Sequence, residues 1–133
     1  NTRLFRVVGR DKNRDFMVTY MKIGNGNTLN PVEKFEAARG ELVEQAMNHE
    51  HGKLFTWFAM DMICPKLEAL PNGGTRVTLN DMRYGFLTNQ GHSLFAAEVI
   101  FDESGKLESV KRRRGRGDAN FKQELNRMAE EFF

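Results

Sequence analysis

The chain has 133 residues, with 20 Lys or Arg, 18 Asp or Glu, 40% apolar residues and a single cysteine. This length fits one domain with its own core, and 11 Phe with a nearly balanced charge argue against disorder. One cysteine excludes a disulfide scaffold and a thiolate zinc site, and no apolar run reaches the ~20 residues of a membrane span. We therefore expect residues 1–133 to form a single soluble domain, and the start at Asn1 without Met indicates a fragment or processed product.

Two β-rich segments open the chain. Residues 4–8 and 16–21 are rich in branched and aromatic residues and flank the polar residues 9–14, a pattern that predicts a β-hairpin. Because side chains alternate along a strand, the second segment has two predicted faces. One face carries Phe16, Val18 and Tyr20, and the other carries Met17, Thr19 and Met21.

A helix is predicted from Asn30 to about Asn48. Asn30 can accept a hydrogen bond from a free backbone N–H, and Pro31 suits the first helical position. Glu33 completes a capping-box pattern three residues after the cap. Gly40 predicts a bend or break inside this helix, because glycine costs about 1 kcal/mol in a helix interior.

Strands dominate the predicted second half of the chain. Residues 54–63 and 75–81 form one predicted hairpin, and residues 94–101 and 106–113 form another. A final helix is predicted over residues 118–133. The sequence therefore predicts a single α+β domain, with a mostly antiparallel twisted sheet of about six strands and two main helices packed on it.

The reactive residue types form no catalytic set in the sequence. Cys64 has no neighbouring His or Lys to activate it, so a buried structural thiol is the favoured interpretation. His49 and His51 are the candidate metal ligands, with Glu50 between them. Residues two apart do not share a helix face, so a solvated helix end is favoured over metal binding. We expect neither a cofactor nor a metal in this chain.

A basic segment stands out at residues 106–116, where six Lys or Arg oppose one Glu and give a local charge of +5. In a strand, alternation places Arg112 and Arg114 on one face and Arg113 on the other. A charged edge strand that resists aggregation is one interpretation, and contact with anionic lipid or another partner is the alternative. Nucleic-acid binding is disfavoured because no aromatic residues interleave the run. The candidate anion contacts are Lys111, Arg112, Arg113, Arg114 and Arg116.

The most distinctive stretch is residues 81–86, where Asp81, Arg83 and Tyr84 form a candidate docking or ligand corner. In an extended segment, Asp81 and Arg83 project to the same side about 7 Å apart, within reach of a long arginine side chain. A fixed corner of the sheet is favoured over a ligand contact, and both interpretations remain open.

These segments together resemble a known family. The strands at residues 4–8 and 15–20, the Phe-rich residues 55–58 and the Asp-x-Arg-Tyr-Gly turn at residues 81–85 carry the resemblance. They are similar to the soluble C-terminal part of the bacterial inner-membrane metal-dependent hydrolases associated by name with LexA. The similarity covers about residues 3–101, and the turn is its most specific element.

The resemblance implies a soluble accessory domain of a membrane-bound hydrolase, with the reactive groups outside this chain. It also implies that any divalent metal belongs to the parent protein, whose membrane-embedded remainder is the main expected partner. Lys and Arg enrichment favours the cytoplasmic face of that membrane.

Two other functions are carried as alternatives. A binding module would use residues 106–116 for nucleic acid or anionic lipid. An α+β pocket domain would hold a small apolar ligand, given the many Phe and Met residues. The sequence specifies neither the substrate nor the oligomeric state.

Overall fold

The computed structural model describes residues 2–83, 93 and 95–114. Within these residues the chain forms eight strands in two antiparallel four-stranded sheets, together with two helices. Sheet A contains β1 (Arg3–Arg10), β2 (Phe16–Ile23), β3 (Thr28–Leu29) and β4 (Glu33–Phe35). The helices are α1 (Glu41–Asn48) and α2 (Glu50–Phe58). Sheet B contains β5 (Ile63–Ala69), β6 (Thr75–Asp81), β7 (Phe95–Phe101) and β8 (Leu107–Arg114).

The predicted fold class, one sheet of about six strands with two main helices packed on it, is wrong. The described chain is mostly strand, and its sheets are separate four-stranded units. The helix predicted from Asn30 begins only at Glu41, because the preceding residues are held in an extended conformation. β4 pairs with β2, and the backbone N–H of Ala37 donates to the Asp15 carboxylate over 2.8 Å. These long-range hydrogen bonds override the local capping signal at Asn30.

The prediction of a strand over residues 54–63 is also wrong, because the first half of this segment belongs to α2 and only Ile63 lies in a strand. Gly52, Phe55 and Ala59 are buried at helical spacing, and they turn one side of α2 toward sheet B. A mixed aromatic run of this length fits a buried strand or a helix equally well by pattern alone. The final helix predicted over residues 118–133 lies outside the described residues.

Sheet A confirms the predicted N-terminal hairpin and its alternation. β1 and β2 pair in register from Arg3 opposite Ile23 to Arg10 opposite Phe16. Phe16, Val18 and Tyr20 share one face, as predicted, and the structure shows that this inner face is the buried one. This inner face packs on residues at the start of β5 and just beyond β6, including Cys64 and Met82.

Sheet B is an antiparallel meander in the order β5-β6-β7-β8. Both hairpins predicted for this half of the chain are present, although the first strand of the first hairpin is β5 rather than residues 54–63. The two helices cover one face of this sheet. The main core lies between the helices and this sheet. Its buried residues are Val43, Ala46, Phe55, Ala59, Ile63, Val77, Leu79, Ala97, Val99 and Phe101.

The junction between α1 and α2 is tight. His49 has extended backbone angles and caps both helices, and Gly52 lies against the end of α1. A Cβ atom on Gly52 would stand 1.9 Å from the backbone oxygen of Ala46, so only glycine fits there. Neither helix in the described part of the chain is long and apolar enough to cross a bilayer.

Candidate functional site

The predicted pair at the end of β6 is formed. The Asp81 side chain is fully buried, and its carboxylate accepts hydrogen bonds from Nε and Nη2 of Arg83 over 3.1 and 2.9 Å. The backbone N–H of Arg83 donates to the same carboxylate, and the guanidinium lies 5.1 Å from the ring centre of Phe58 on α2. Tyr84, the third predicted member, lies outside the described residues.

Arg6 of β1 ties sheet A to this corner. Its Nη1 donates to the backbone oxygens of Met82 and Arg83 over 2.6 and 3.2 Å. Because the charged groups of the corner bind one another and fix the path of the chain, this geometry fits a structural corner that joins the two sheets.

The basic segment forms the edge strand β8, and its charges diverge. Arg113 pairs with Glu98 of β7 over 2.8 Å, whereas Lys111 and Arg112 are exposed. Arg114 is the last residue of β8, and Arg116 lies outside the described residues. The segment therefore does not present its cations as one cluster.

Glu98 belongs to a ladder of opposite charges across sheet B, on the face opposite the helices. Glu68 pairs with Arg76 over 3.3 Å, Arg76 lies 4.0 Å from Glu98, and Glu98 holds Arg113. Lys66 adds a further contact to Glu68 over 3.4 Å. The ladder neutralises much of the charge on this face within the chain.

The two candidate metal ligands act as a helix cap. Nδ1 of His49 accepts a hydrogen bond from the backbone N–H of His51 over 3.2 Å, and their rings stack with centres 5.5 Å apart. In the part of the chain that is described, no three His, Cys, Asp or Glu side chains are grouped so as to hold a metal. Both imidazoles are accounted for by this local geometry.

Cys64 is a buried thiol at the start of β5. Burial raises its pKa to about 11, and the nearby Asp15 carboxylate adds to the shift. The thiol is therefore neutral and poorly nucleophilic near pH 7, which fits its predicted structural role.

The outer face of sheet A is apolar, and no other element of the described residues covers it. Along β1, β2 and β3 it carries Phe5, Val7, Met17, Met21, Ile23 and Leu29, and five of these six side chains are 39–64% exposed. Arg3 and Lys34 occupy positions on the same face, where the described strands place no acidic residue. Such an uncovered apolar patch is typical of a protein or membrane contact.

A second surface feature is a groove between the β1–β2 turn and the two helices. Its volume is about 850 Å³, and residues from the turn, the segment before α1, both helices and β5 line it. Trp57 and Met60 stand at its rim, 78% and 73% exposed. Lys12 and Lys53 also line it, and neither forms an ion pair with another described residue.

A clamp centred on Asp61 fixes one wall of this groove. Arg10 and Arg14 of the hairpin reach its carboxylate over 3.0 and 2.9 Å. Partial burial would raise the pKa of this carboxyl, but the hydrogen bonds and charges of the two arginines hold it below its ordinary value. Arg14, Met60 and Asp61 are the described non-glycine residues with left-handed backbone angles, so local strain concentrates here.

Comparisons with known proteins bring no assignment to these surfaces. The chain matches no protein-family model, no curated protein and no solved structure. The resemblance to inner-membrane hydrolases therefore stays a prediction that rests on the residues quoted for it.

The sequence pattern contained a signal for one of the two surface features. Phe5, Val7 and Met17 alternate with less exposed residues, so the outer face of sheet A could have been found from alternation. The groove combines residues 12–14, 37–39 and 65 with nine residues of the range 43–61, and no local pattern links those segments.

Proposed function

We propose that this chain is an accessory docking domain that lays the outer face of sheet A on an anionic membrane surface, beside the remainder of its own protein. The observation that carries the proposal is the apolar face of β1, β2 and β3, which the described part of the chain leaves exposed. Burial of the surface still exposed would contribute roughly 1 kcal/mol for each large side chain, so several together support stable docking.

Charge supports a membrane as the surface that covers this face. Residues 1–35 contain seven Lys or Arg against three Asp or Glu, a local charge of +4. Each cation held near an anionic leaflet contributes about 1 kcal/mol. Arg3 and Lys34 lie on the apolar face itself, so lipid headgroups and acyl chains would each meet a suitable side chain.

The resemblance supports the wider assignment. A docking domain fits the soluble part of a membrane-bound hydrolase, in which the reactive groups and any metal ligands belong to other segments. Under this proposal the domain contributes attachment or substrate approach, and it acts at the cytoplasmic face of the membrane.

Vesicle binding tests the proposal. We expect the 133-residue chain to co-sediment with vesicles that contain phosphatidylglycerol, to bind phosphatidylcholine vesicles less, and to be released partly by raised salt. The double variant Phe5→Ser with Leu29→Ser should lose most of this binding. The matched control Leu54→Ser with Leu67→Ser removes two exposed leucines elsewhere and should retain it.

Equal loss in both double variants, or equal retention, would contradict docking by the outer face of sheet A. Because all four substituted side chains are exposed, folding should be preserved, and unfolding curves check this directly. If the chain does not bind vesicles but forms a defined complex with the remainder of its own protein, the outer face of sheet A contacts protein instead of lipid.

A second candidate function is anion binding by β8, and the exposure of Lys111 and Arg112 favours it. The variant Lys111→Ser with Arg112→Ser should then weaken binding to vesicles, duplex DNA or RNA at low salt. Unchanged binding in this variant would remove the basic edge strand as the contact.

A further inference from the structure

The groove beside α2 combines three features that a small ligand requires. Its volume of about 850 Å³ lies within the usual range for ligand pockets. Its lining includes cationic side chains and apolar ones such as Met47 and Pro65. It also presents the indole of Trp57 with little cover from the rest of the described chain.

We propose that this groove binds a small amphiphilic anion, in which a phosphate or carboxylate group carries an apolar body. None of the residues that line the groove belongs to the outer face of sheet A. The inference therefore does not depend on the proposed membrane docking, and it would stand if that docking failed.

The charges of the groove favour an anion. Four Lys or Arg line it against Glu44 and Asp61. Arg10 and Arg14 already neutralise Asp61. Lys12 and Lys53 are exposed and lack ion pairs to other described residues, so they are the cations available to a ligand. An anionic group in the groove would meet a net positive wall.

The apolar lining specifies the rest of the ligand. Trp57 and Met60 at the rim are far more exposed than large apolar side chains usually are, and Met47 and Val43 lie deeper. Methionine adapts to irregular apolar shapes, and an indole contributes a broad flat contact. An alkyl or aromatic body seated against these side chains would remove them from water while its charged group remains near the lysines.

Intrinsic fluorescence tests this inference, because Trp57 is the only tryptophan of the chain. The wild-type chain is titrated with dodecyl phosphate below its micelle concentration, with inorganic phosphate, and with uncharged dodecyl maltoside at equal concentration. We expect dodecyl phosphate to shift the emission saturably to shorter wavelength, with at least about fivefold higher affinity than the maltoside. Inorganic phosphate should produce no such shift, since it lacks the apolar body.

Charge variants sharpen the test. Lys12→Ser with Lys53→Ser should lower the affinity for dodecyl phosphate about fivefold, whereas Glu44→Gln should raise it. The control Lys106→Ser removes an exposed cation outside the groove and should leave the affinity unchanged. All of these side chains are exposed, so the variants should fold like the wild type.

Three results would overturn the inference. The first is an equal response to dodecyl phosphate and dodecyl maltoside, and the second is an unchanged affinity in the Lys12 and Lys53 variant. The third is an emission shift with phosphatidic acid vesicles but none with monomeric dodecyl phosphate, because the same headgroup chemistry would then be recognised only in a bilayer.

Discussion

The two sheets of the molecule are covered in different ways. Sheet B carries α1 and α2 on one face, and on its other face Glu68, Arg76, Glu98 and Arg113 pair with one another. Sheet A buries only its inner face and leaves large apolar side chains exposed on the outer one. The side chains on both faces of sheet B therefore contact other residues of the same chain. The outer face of sheet A is suited to contact with another molecule.

A similar contrast separates the Asp81 corner from the groove. In the corner, the carboxylate of Asp81 and the guanidinium of Arg83 hold each other. In the groove, Lys12 and Lys53 have no such carboxylate among the described residues. Asp81 and Arg83, which were prominent in the sequence, thus stabilise the fold. Lys12 and Lys53, which were not, remain available for binding.

The largest effect is expected where the helices that cover sheet B meet, at the junction of α1 and α2. Gly52→Ala places a Cβ atom 1.9 Å from the Ala46 backbone oxygen, and backbone cannot yield cheaply. We expect a loss of about 3 kcal/mol in the free energy of unfolding, measured by urea denaturation. Gly9→Ala is the control, because nothing lies within 4 Å of its Cβ position, and it should be nearly neutral. Similar stability of the two variants would show that the helix junction is looser than described.

The next largest effect is expected at the corner that joins the sheets. Asp81→Asn removes the buried carboxylate that accepts three hydrogen bonds from Arg83, and it should cost about 2 kcal/mol. Glu108→Gln, an exposed change on β8, should alter stability by less than about 0.5 kcal/mol. If Asp81→Asn is as stable as the wild type but loses binding to vesicles or to dodecyl phosphate, the corner contacts a ligand instead.

The charge ladder of sheet B gives a smaller effect. Glu98→Gln removes the carboxylate that holds Arg113 and should cost about 1 kcal/mol, since the pair is partly buried. It should also strengthen anion binding by β8 at low salt, because Arg113 is then no longer neutralised. Unchanged anion binding would mean that β8 is an edge strand with no ligand of its own.

The Asp61 clamp between sheet A and α2 should show the smallest effect. The pKa of the Asp61 carboxyl is lower in the folded chain than in the unfolded one. The carboxylate therefore stabilises the folded chain at pH values above the ordinary Asp pKa of about 3.9. That contribution is lost as the pH falls through the lower folded value. Asp61→Asn should therefore cost less than about 1 kcal/mol at pH 7 and show a weaker acid dependence. Glu36→Gln serves as the exposed control, and equal acid dependence of Asp61→Asn and wild type would exclude the clamp.

The sequence predictions were correct for local patterns and wrong where contacts between distant segments decide the structure. Alternation separated the two faces of β2 correctly, because Phe16, Val18 and Tyr20 repeat with the period of a strand. The capping signal at Asn30 failed because β2 and Asp15 hold the following residues extended through contacts that no local pattern contains. The pairing of Asp81 with Arg83 was accessible because both residues lie in one short segment.

The groove was not accessible for the opposite reason. Lys12, Lys53 and Trp57 meet only after the hairpin and the helices have packed together. The basic run shows a similar limit, since its charge is visible in the sequence while the Glu98 that pairs with Arg113 lies on another strand.

Site-specific labelling at the outer face of sheet A tests the central claim most directly. Cys64 is buried with a pKa of about 11, so an environment-sensitive thiol dye at neutral pH should modify only a cysteine introduced on the surface. The label on Leu29→Cys should shift its emission to shorter wavelength when vesicles with phosphatidylglycerol are added, and the label on Leu67→Cys of sheet B should not. A shift at position 67 without one at position 29 would contradict docking through sheet A.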